Sequence, residues 1–429
     1  MKRPVRVTLR EYGPPINVPA RVAADFERAS MRLQHIAQTP SPPLIVDNGT
    51  LRAIDIAGVV RVSDAIELEI APKFLDPSAE TWREDFFFAA LVSRYGRVLT
   101  REQLRSSRSR RSELSSLIAG ALASMHETLQ RVPLRTYRRG VVEDFAADGE
   151  IDPDDAVLPC ENGYRQEILE FTRRNSYNSV IRHAAGSLPH VSDAGLSARL
   201  ARMQTRLGEQ PPLTPRALAR SRVPSRFRSW QPLYDLSREV LRNSGVSLQP
   251  GAFSAPGFVV NTWRVWEDLL AAGLRIGVKG AAVKVQLRAT LGTRHDEESG
   301  RQTAVSVAPD FTFTDAATGT ILLLADAKYK RDLRMAEADV YEALAFATAT
   351  RCSDVMLLYP RTASGEDPGV VRIEERIRVG DVQIVGATVA VSGLAARGGF
   401  ARFAANVGEA VTRSIREGCF RPDPSATLP

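Results

Sequence analysis

Five apolar residues in a row, Ile321-Leu322-Leu323-Leu324-Ala325, run directly into Asp326-Ala327-Lys328. A run this short, bounded by turn residues, reads as a strand buried on both faces. Side chains alternate along a strand, so Asp326 and Lys328 share one face and Ala327 takes the other. An acid and an amine thus sit side by side at the end of a core strand, a costly arrangement in a core and a useful one at a metal-assisted hydrolytic site. With 50 acidic residues and six lysines in 429, about 0.7 acid-x-Lys triplets arise from composition alone, so the setting of the triplet carries the signal.

That setting is a β-hairpin. Phe311 and Phe313 alternate with Thr312 and Thr314, the stretch Asp315-Ala316-Ala317-Thr318-Gly319-Thr320 turns, and the Ile/Leu strand returns. A three-residue loop Ala317-Thr318-Gly319, with glycine in the left-handed position, pairs Ala316 with Thr320 and places Asp310 opposite Asp326. Directly opposed residues have Cβ atoms about 4.5–5.5 Å apart, where two bare carboxylates repel. A divalent cation between them removes the repulsion, and hard oxygen ligands suit Mg²⁺. The alternative is a surface hairpin with solvated carboxylates and Lys328 as an ordinary counter-ion.

A third acid lies upstream. Val259 to Leu270 has helical periodicity, with Trp263, Trp266 and Leu270 in one stripe and Glu267 inside it. A carboxylate on a buried helix face needs a partner; the alternative is that it reaches one of the chain's 51 arginines.

Pro309-Asp310, Asp326-Ala327-Lys328 and the helical Glu267 together resemble the PD-(D/E)xK nuclease motif. Their context is similar to one branch of that superfamily, the McrC subunit of 5-methylcytosine-type (type IV) restriction systems. The matching stretches are Trp266-Glu267, Ala308-Pro309-Asp310, Ala325 to Lys330, Asp339 to Phe346 and Leu357 to Pro360, in the family's order. Ile66 to Phe74, with its Pro72-Lys73, Gly149 to Asp152 and Asn175 to Leu188 extend the likeness into the N-terminal half. Glu342 departs from the family's usual glutamine, and Phe346 from its frequent tyrosine. The resemblance implies a Mg²⁺-dependent DNA endonuclease subunit of a defence complex against foreign DNA. Asp310, Asp326 and the Ala327 carbonyl would be metal ligands, Glu267 a ligand to a second metal or its water, and Lys328 the residue that orients or deprotonates the attacking water. A lysine crowded by metal charge and burial is expected to lose basicity. Glu342, Lys330 and Tyr329 are auxiliary candidates. The implied partners are DNA and an oligomeric AAA+ GTPase or ATPase ring of the McrB type. Two other readings stay open: a non-catalytic regulator that stimulates such a motor, and a DNA-repair nuclease with the same fold.

The remaining features are consistent with that outline. No Gly-x-x-x-x-Gly-Lys-Ser/Thr loop is present, so the chain is not expected to bind a nucleoside triphosphate by itself, and the resemblance implies that a separate motor does so. The five histidines (His35, His126, His183, His190, His295) show no metal-ligand spacing. Cys160, Cys352 and Cys419 are odd in number and far apart, as expected in a reducing cytosol. No apolar run approaches the ~18 residues of a membrane span, and Met1 to Arg6 is not followed by a signal-peptide core, so a cytoplasmic protein is expected. Net charge is +7, and Arg97, Arg101, Arg105, Arg108, Arg110, Arg111, Arg131, Arg135, Arg138 and Arg139 form a basic region. It suits phosphate or an acidic protein surface, or else is a solvated linker around Ser106 to Ser112.

The expected fold is a multi-domain α/β (α+β) chain in three parts. Residues 1–78 form a β-rich domain with strands at Val5–Leu9, Leu51–Ile56, Val59–Val62 and Ile66–Ile70. Residues 79–250 are mainly helical and basic, with breaks at Gly149–Pro153 and Pro211–Pro215, and dock the partner. Residues 251–429 form a restriction-endonuclease-like α/β domain. Its strands fall at Ala282–Leu291, the hairpin, Val355–Tyr359, Val370–Ile373 and Val382–Val391; its helices fall at Met335–Thr350 and Phe400–Arg416. Pro422–Pro429 reads as a loose tail.

Overall fold

The computed structural model describes residues 5–63, 66–79, 81–95, 114–151, 153, 157, 161–188, 194–243, 258–330, 334–362 and 365–418. The chain divides into two compact units: Met1–Val5, Val60–Glu67 and Gln103–Phe258 in one, and Arg6–Val59, Leu68–Glu102 and Val259–Pro429 in the other. The expected arginine cluster Arg97 to Arg111 and the tail Pro422–Pro429 lie outside the described residues.

The N-terminal strands are β1 (Val5–Arg10), β2 (Ile16–Asn17), β3 (Leu44–Asp47), β4 (Thr50–Ala53), β5 (Ile56–Ser63) and β6 (Ile66–Ala71). Between β2 and β3 runs helix α1 (Ala20–Ala37), where the sequence suggested only strands and turns. Its buried stripe is Phe26, Ala29, Ser30, Leu33 and Ala37, and no side chain caps its start, so the usual N-terminal signal of a helix is missing. Every residue of β6 is buried, Glu67 and Glu69 included. Glu69 is accommodated because Arg83, on α2 (Trp82–Tyr95), donates two hydrogen bonds of 2.8 Å to its two oxygens.

The middle of the chain holds α3 (Leu114–Leu129), α4 (Ser176–Ser187), α5 (Ala194–Leu207), the short α6 (Pro215–Ala219), a 3-10 turn Ser225–Trp230 and α7 (Gln231–Asn243). The mainly helical expectation fails between residues 136 and 172. There β7 (Thr136–Asp144) and β9 (Tyr164–Thr172) pair antiparallel along their full length, with β8 (Glu150–Ile151) on the far side of β9. This arm buries little, leaving Tyr137, Val141 and Leu169 exposed by more than 60% (64%, 61% and 62%). It lacks a core-facing side to imprint an apolar alternation on its sequence.

The C-terminal segment opens with β10 (Phe258–Asn261) and α8 (Thr262–Gly277), whose first turn is capped by Asn261. Strands β11 (Ala282–Val285), β12 (Ala289–His295), β13 (Gln302–Val307), β14 (Phe311–Thr314) and β15 (Ile321–Ala327) follow, then α9 (Glu337–Thr350), β16 (Asp354–Arg361), β17 (Val371–Val379), β18 (Val382–Ala390) and α10 (Gly399–Glu417). Six strands make one mixed sheet in the order β11-β14-β15-β16-β18-β17. Its centre, β15-β16-β18, is parallel, and antiparallel strands flank it. Helix α9 is the crossover between β15 and β16. Its Ala343, Phe346 and Ala347 pack with Leu324, Val355, Leu357, Tyr359 and Ile384. Helices α8 and α10 pack on each other and on β15. They approach so closely that a Cβ at Gly277 would lie 1.8 Å from the Ala404 carbonyl oxygen, and one at Gly408 2.1 Å from the Gly277 carbonyl carbon.

Two local expectations need correction. The strand expected over Ala282–Leu291 is broken at Gln286, whose φ of 51° is left-handed. β11 joins the main sheet, whereas β12 pairs only with β13. The β14–β15 turn is also one residue wider than expected: Asp315 N–H donates to the Thr320 carbonyl, and Gly319, at φ 72°, donates to the Asp315 carbonyl. An irregularity between Phe313 and Thr314 absorbs the extra residue. Phe311 therefore still pairs with Ala325, as the opposition of Asp310 and Asp326 requires.

Candidate active site

Asp310 and Asp326 are tied to each other through the main chain. The Asp310 N–H donates to Asp326 Oδ1 at 3.3 Å, and the Ala327 N–H donates to Asp310 Oδ2 at 2.9 Å. Each aspartate thus spends one oxygen on the other's strand, and the pair is clasped at the C-terminal end of β15. Lys328 continues the line: its N–H donates to the Leu358 carbonyl, and its ammonium lies 2.7 Å from Asp326 Oδ2 and 2.5 Å from Glu342 Oε2. Asp326 and Lys328 share the face of Leu324, the face that α9 covers with Asp339 and Glu342.

Glu267 is carried by α8. The buried stripe of that helix is Thr262, Val265, Trp266, Leu269 and Leu270, so Trp263 and Glu267 lie on its half-buried flank rather than within it. The anchor is Trp266, whose indole N–H donates to the Leu358 carbonyl at 3.1 Å. From the flank, Glu267 accepts a 2.8 Å hydrogen bond from Gln286 Nε2. The Gln286 N–H also donates to the Asp310 carbonyl at 2.9 Å. One left-handed residue therefore touches two of the acids, and nothing about glutamine signalled that in the sequence.

The electrostatics follow from crowding. Burial, then Asp326 and Glu267, push the Asp310 carboxyl up to about 7. Burial also raises Asp326, although Lys328 pulls the other way, and raises Glu267 with help from Asp268 and Asp326. For Lys328 burial acts downward, but Asp326 and Glu342 outweigh it and the net shift is upward. Two neighbouring carboxylates thus favour the ammonium form of Lys328, whereas the loss of basicity expected from the sequence is tied to the charge of a bound metal.

Among the described residues, no three or more His, Cys, Asp or Glu side chains are arranged to hold a metal ion as they stand. The donor set nevertheless has the chemistry of a hard-cation site: oxygen donors, and carboxylates whose charge the surroundings leave undercompensated. Asp310, Asp326 and Glu267 are the residues that a small divalent cation would relieve.

The auxiliary candidates separate. Glu342 reaches Lys328. Lys330 pairs with Asp339 at 2.6 Å, and the same Asp339 oxygen lies 4.0 Å from the Lys328 ammonium. Tyr329 turns away: it is half-buried, its ring lies against the Lys73 ammonium, and its hydroxyl donates to Glu11. It therefore packs rather than holding phosphate. Asp339 itself, buried and also bonded by the Tyr359 hydroxyl at 3.0 Å, joins both lysines and was not singled out from sequence.

Behind Tyr329 lies a second buried acid. Glu11 accepts hydrogen bonds from the Thr262 hydroxyl at 2.5 Å, the Lys73 N–H at 3.1 Å and Tyr329, and burial lifts it from 4.5 to about 7. The folded state holds the Glu11 proton up to about pH 7, while the unfolded chain releases it near 4.5. Stability must therefore fall as pH rises through that window, by on the order of 2–3 kcal/mol. Asp310 and Asp85, raised to about 7 and about 6, act with the same sign. Lys73, lowered by burial from 10.5 to about 8, acts oppositely at higher pH. Replacing Glu11 by Gln should flatten the decline of Tm between pH 5 and 7.5 without abolishing it; thermal denaturation of both proteins across that range checks this.

A multi-domain α/β chain with two clasped aspartates and an ammonium at the end of a central parallel strand is the class that fold and site define. The family model described as McrBC 5-methylcytosine restriction system component matches residues 51–360. The chain belongs to that family. Among solved structures it is similar to a chain of the refined half-complex from the tetradecameric assembly of Thermococcus gammatolerans McrB AAA+ hexamers with bound McrC. The TM-score is 0.68 at 13% identity, over 95% of this chain and 100% of that one, and the likeness is one of fold. A chain of the Thermococcus gammatolerans McrBC complex, solved by cryo-EM, is similar at TM-score 0.48 and 15% identity, over 62% of this chain and 86% of that one. No curated protein matches. Among the described residues no helix is long and apolar enough to cross a membrane.

Proposed function

We propose that this chain is the DNA-cleaving subunit of a McrBC-type restriction complex, and that it hydrolyses phosphodiesters with Mg²⁺ when coupled to an AAA+ nucleotide-hydrolysing ring. The observation that carries the reading is the convergence of Asp310, Asp326 and Lys328 through the main chain of one hairpin, with Glu267 delivered from a neighbouring helix. Residues 251–429 then correspond to a PD-(D/E)xK domain.

Asp310 and Asp326, with the Ala327 carbonyl, would hold Mg²⁺, and Glu267 would complete the carboxylate set. When bound, the ion supplies Lewis-acid polarisation of a phosphoryl oxygen and acidifies water. Lys328 places a positive charge where negative charge builds on phosphorus, and Glu342 and Asp339 fix its position. Gln286 orients Glu267. Water adds across a P–O bond of the DNA strand.

The partner is an AAA+ ring of the kind in the similar assembly. In the middle unit, the β7–β9 arm offers it Tyr137, Val141 and Leu169, large apolar side chains left bare on a two-stranded ribbon.

The test is cleavage of methylated and unmethylated plasmid by the chain co-purified with the AAA+ protein encoded beside it. Cleavage should require Mg²⁺, the nucleotide and the partner together, and chelation should stop it. A complex that forms and hydrolyses nucleotide yet leaves DNA intact under all these conditions would show a regulator instead.

A further inference from the structure

Beside the carboxylate cluster is a cavity of about 400 Å³ rimmed by four cations, Arg10, Lys73, Lys330 and Arg361, and one acid, Glu11. Two are compensated, Lys330 by Asp339 at 2.6 Å and Arg361 by Glu366 at 2.7 Å. Lys73 is different. Its ammonium lies 3.8 Å from the centre of the Tyr329 ring and 4.8 Å from that of Tyr12, with the Glu11 and Asp55 carboxylates acting on it through their charge. The Arg10 guanidinium donates to the Lys73 carbonyl at 2.8 Å, which brings a second cation to the same wall. The buried Glu11 holds that wall together from behind by accepting from the Lys73 N–H, Thr262 and Tyr329.

The position of the cavity matters as much as its charge. Lys330 and the catalytic candidate Lys328 are both neighbours of Asp339 Oδ1, so one carboxylate oxygen separates the cavity from the cluster. Composition adds an independent sign. The chain fills 51 of its 57 basic positions with arginine, yet two of its six lysines, 73 and 330, line this cavity, and a third, 328, shares Asp339 with Lys330. Lysine is a compact point charge with three donors, suited to a phosphate in a confined space where the broad guanidinium fork does not fit.

We propose that this cavity is a phosphate subsite that takes a backbone phosphate of the DNA strand flanking the one to be cut, with Lys73 and Arg10 as its cations. The inference rests on the nuclease reading above and names where that site holds its substrate. The phosphate would offer the Lys73 ammonium a direct acceptor, and the ring faces of Tyr12 and Tyr329 hold that ammonium in place.

The experiment measures equilibrium binding of a fluorescent DNA duplex by the complex of full-length chain and partner, without Mg²⁺, over a range of salt concentrations. It compares the wild type, Lys73→Gln, Arg10→Gln and Arg413→Gln. Arg10 is exposed, so its variant keeps the test valid if Lys73→Gln perturbs folding. Loss of one phosphate contact lowers the slope of log K against log salt by about 0.9 and weakens binding several-fold in physiological salt. Both cavity variants should show this, whereas Arg413→Gln, which removes an exposed arginine of α10 paired with Glu409, should bind DNA like the wild type. Unchanged affinity and slope in both cavity variants would overturn the subsite. So would inorganic phosphate that stabilises the wild type thermally but not Lys73→Gln while DNA binding stays equal, which assigns the cavity to a free anion. A complex that never cleaves but shows the slope change keeps the subsite and removes only the nuclease step.

Discussion

Replacing Asp326 by Asn is expected to reduce DNA cleavage by roughly a thousandfold or more, since a metal ligand contributes several kcal/mol to transition-state charge stabilisation. The fold should survive. The Asn side chain still accepts from the Asp310 N–H through its Oδ1, and Lys328 keeps Glu342 as its partner. Neutralising a carboxylate that burial already disfavours should leave Tm unchanged or raise it. Asp326→Ala should be as inactive and somewhat less stable, because the Asp310 N–H then loses its acceptor. Plasmid cleavage, partner pull-down and thermal denaturation of both variants check the whole pattern. Cleavage at the wild-type rate by either would remove Asp326 from the chemistry.

The largest stability effect belongs to a residue with no side chain. Gly408→Ala puts a methyl group 2.1 Å from the Gly277 carbonyl carbon, where backbone faces backbone and no rotamer can yield. Helices α8 and α10 must move apart, and the expected cost is on the order of 3–5 kcal/mol. Because α8 carries Trp266 and Glu267, the same variant should also lose cleavage. The contrasting control is Gly186→Ala on α4, where the new Cβ meets only the Gln204 side chain at 3.5 Å. That substitution should be neutral or stabilising by about 0.4–1 kcal/mol, through the unfolded chain's lost freedom. Urea denaturation of the two variants beside the wild type measures the difference.

What could be read from the sequence divides along physical lines. The β14–β15 hairpin was legible because its signals are local: alternation of Phe and Thr, a glycine turn, and an apolar return. The opposition of Asp310 and Asp326 followed from that register and survived a wrong turn length, because the irregularity at Phe313 and Thr314 absorbed the error. Helices α8 and α10 are legible because each buries a regular apolar stripe, whereas α9 has little contrast between its faces and is marked by its run of good helix formers. The β7–β9 arm was not, since it buries no stripe at all. Glu11 was illegible for another reason: its partners Lys73, Thr262 and Tyr329 stand 62, 251 and 318 residues away. Gln286 needed a backbone conformation that its identity does not announce. The strand alternation that puts Lys328 beside Asp326 is local and legible, whereas its partners Glu342 and Asp339 come from α9, 14 and 11 residues on, and nothing in the triplet announces them.

The clasp between the aspartates is made by main-chain N–H groups 16 and 17 residues from their acceptors, within a single hairpin. Hairpins close in about 1–10 μs, long before distant segments of a chain this size can meet. The spacing of the two acids is thus set within one short stretch of chain, and the helices and distant strands bring Glu267 and the lysine's partners to a gauge cut locally.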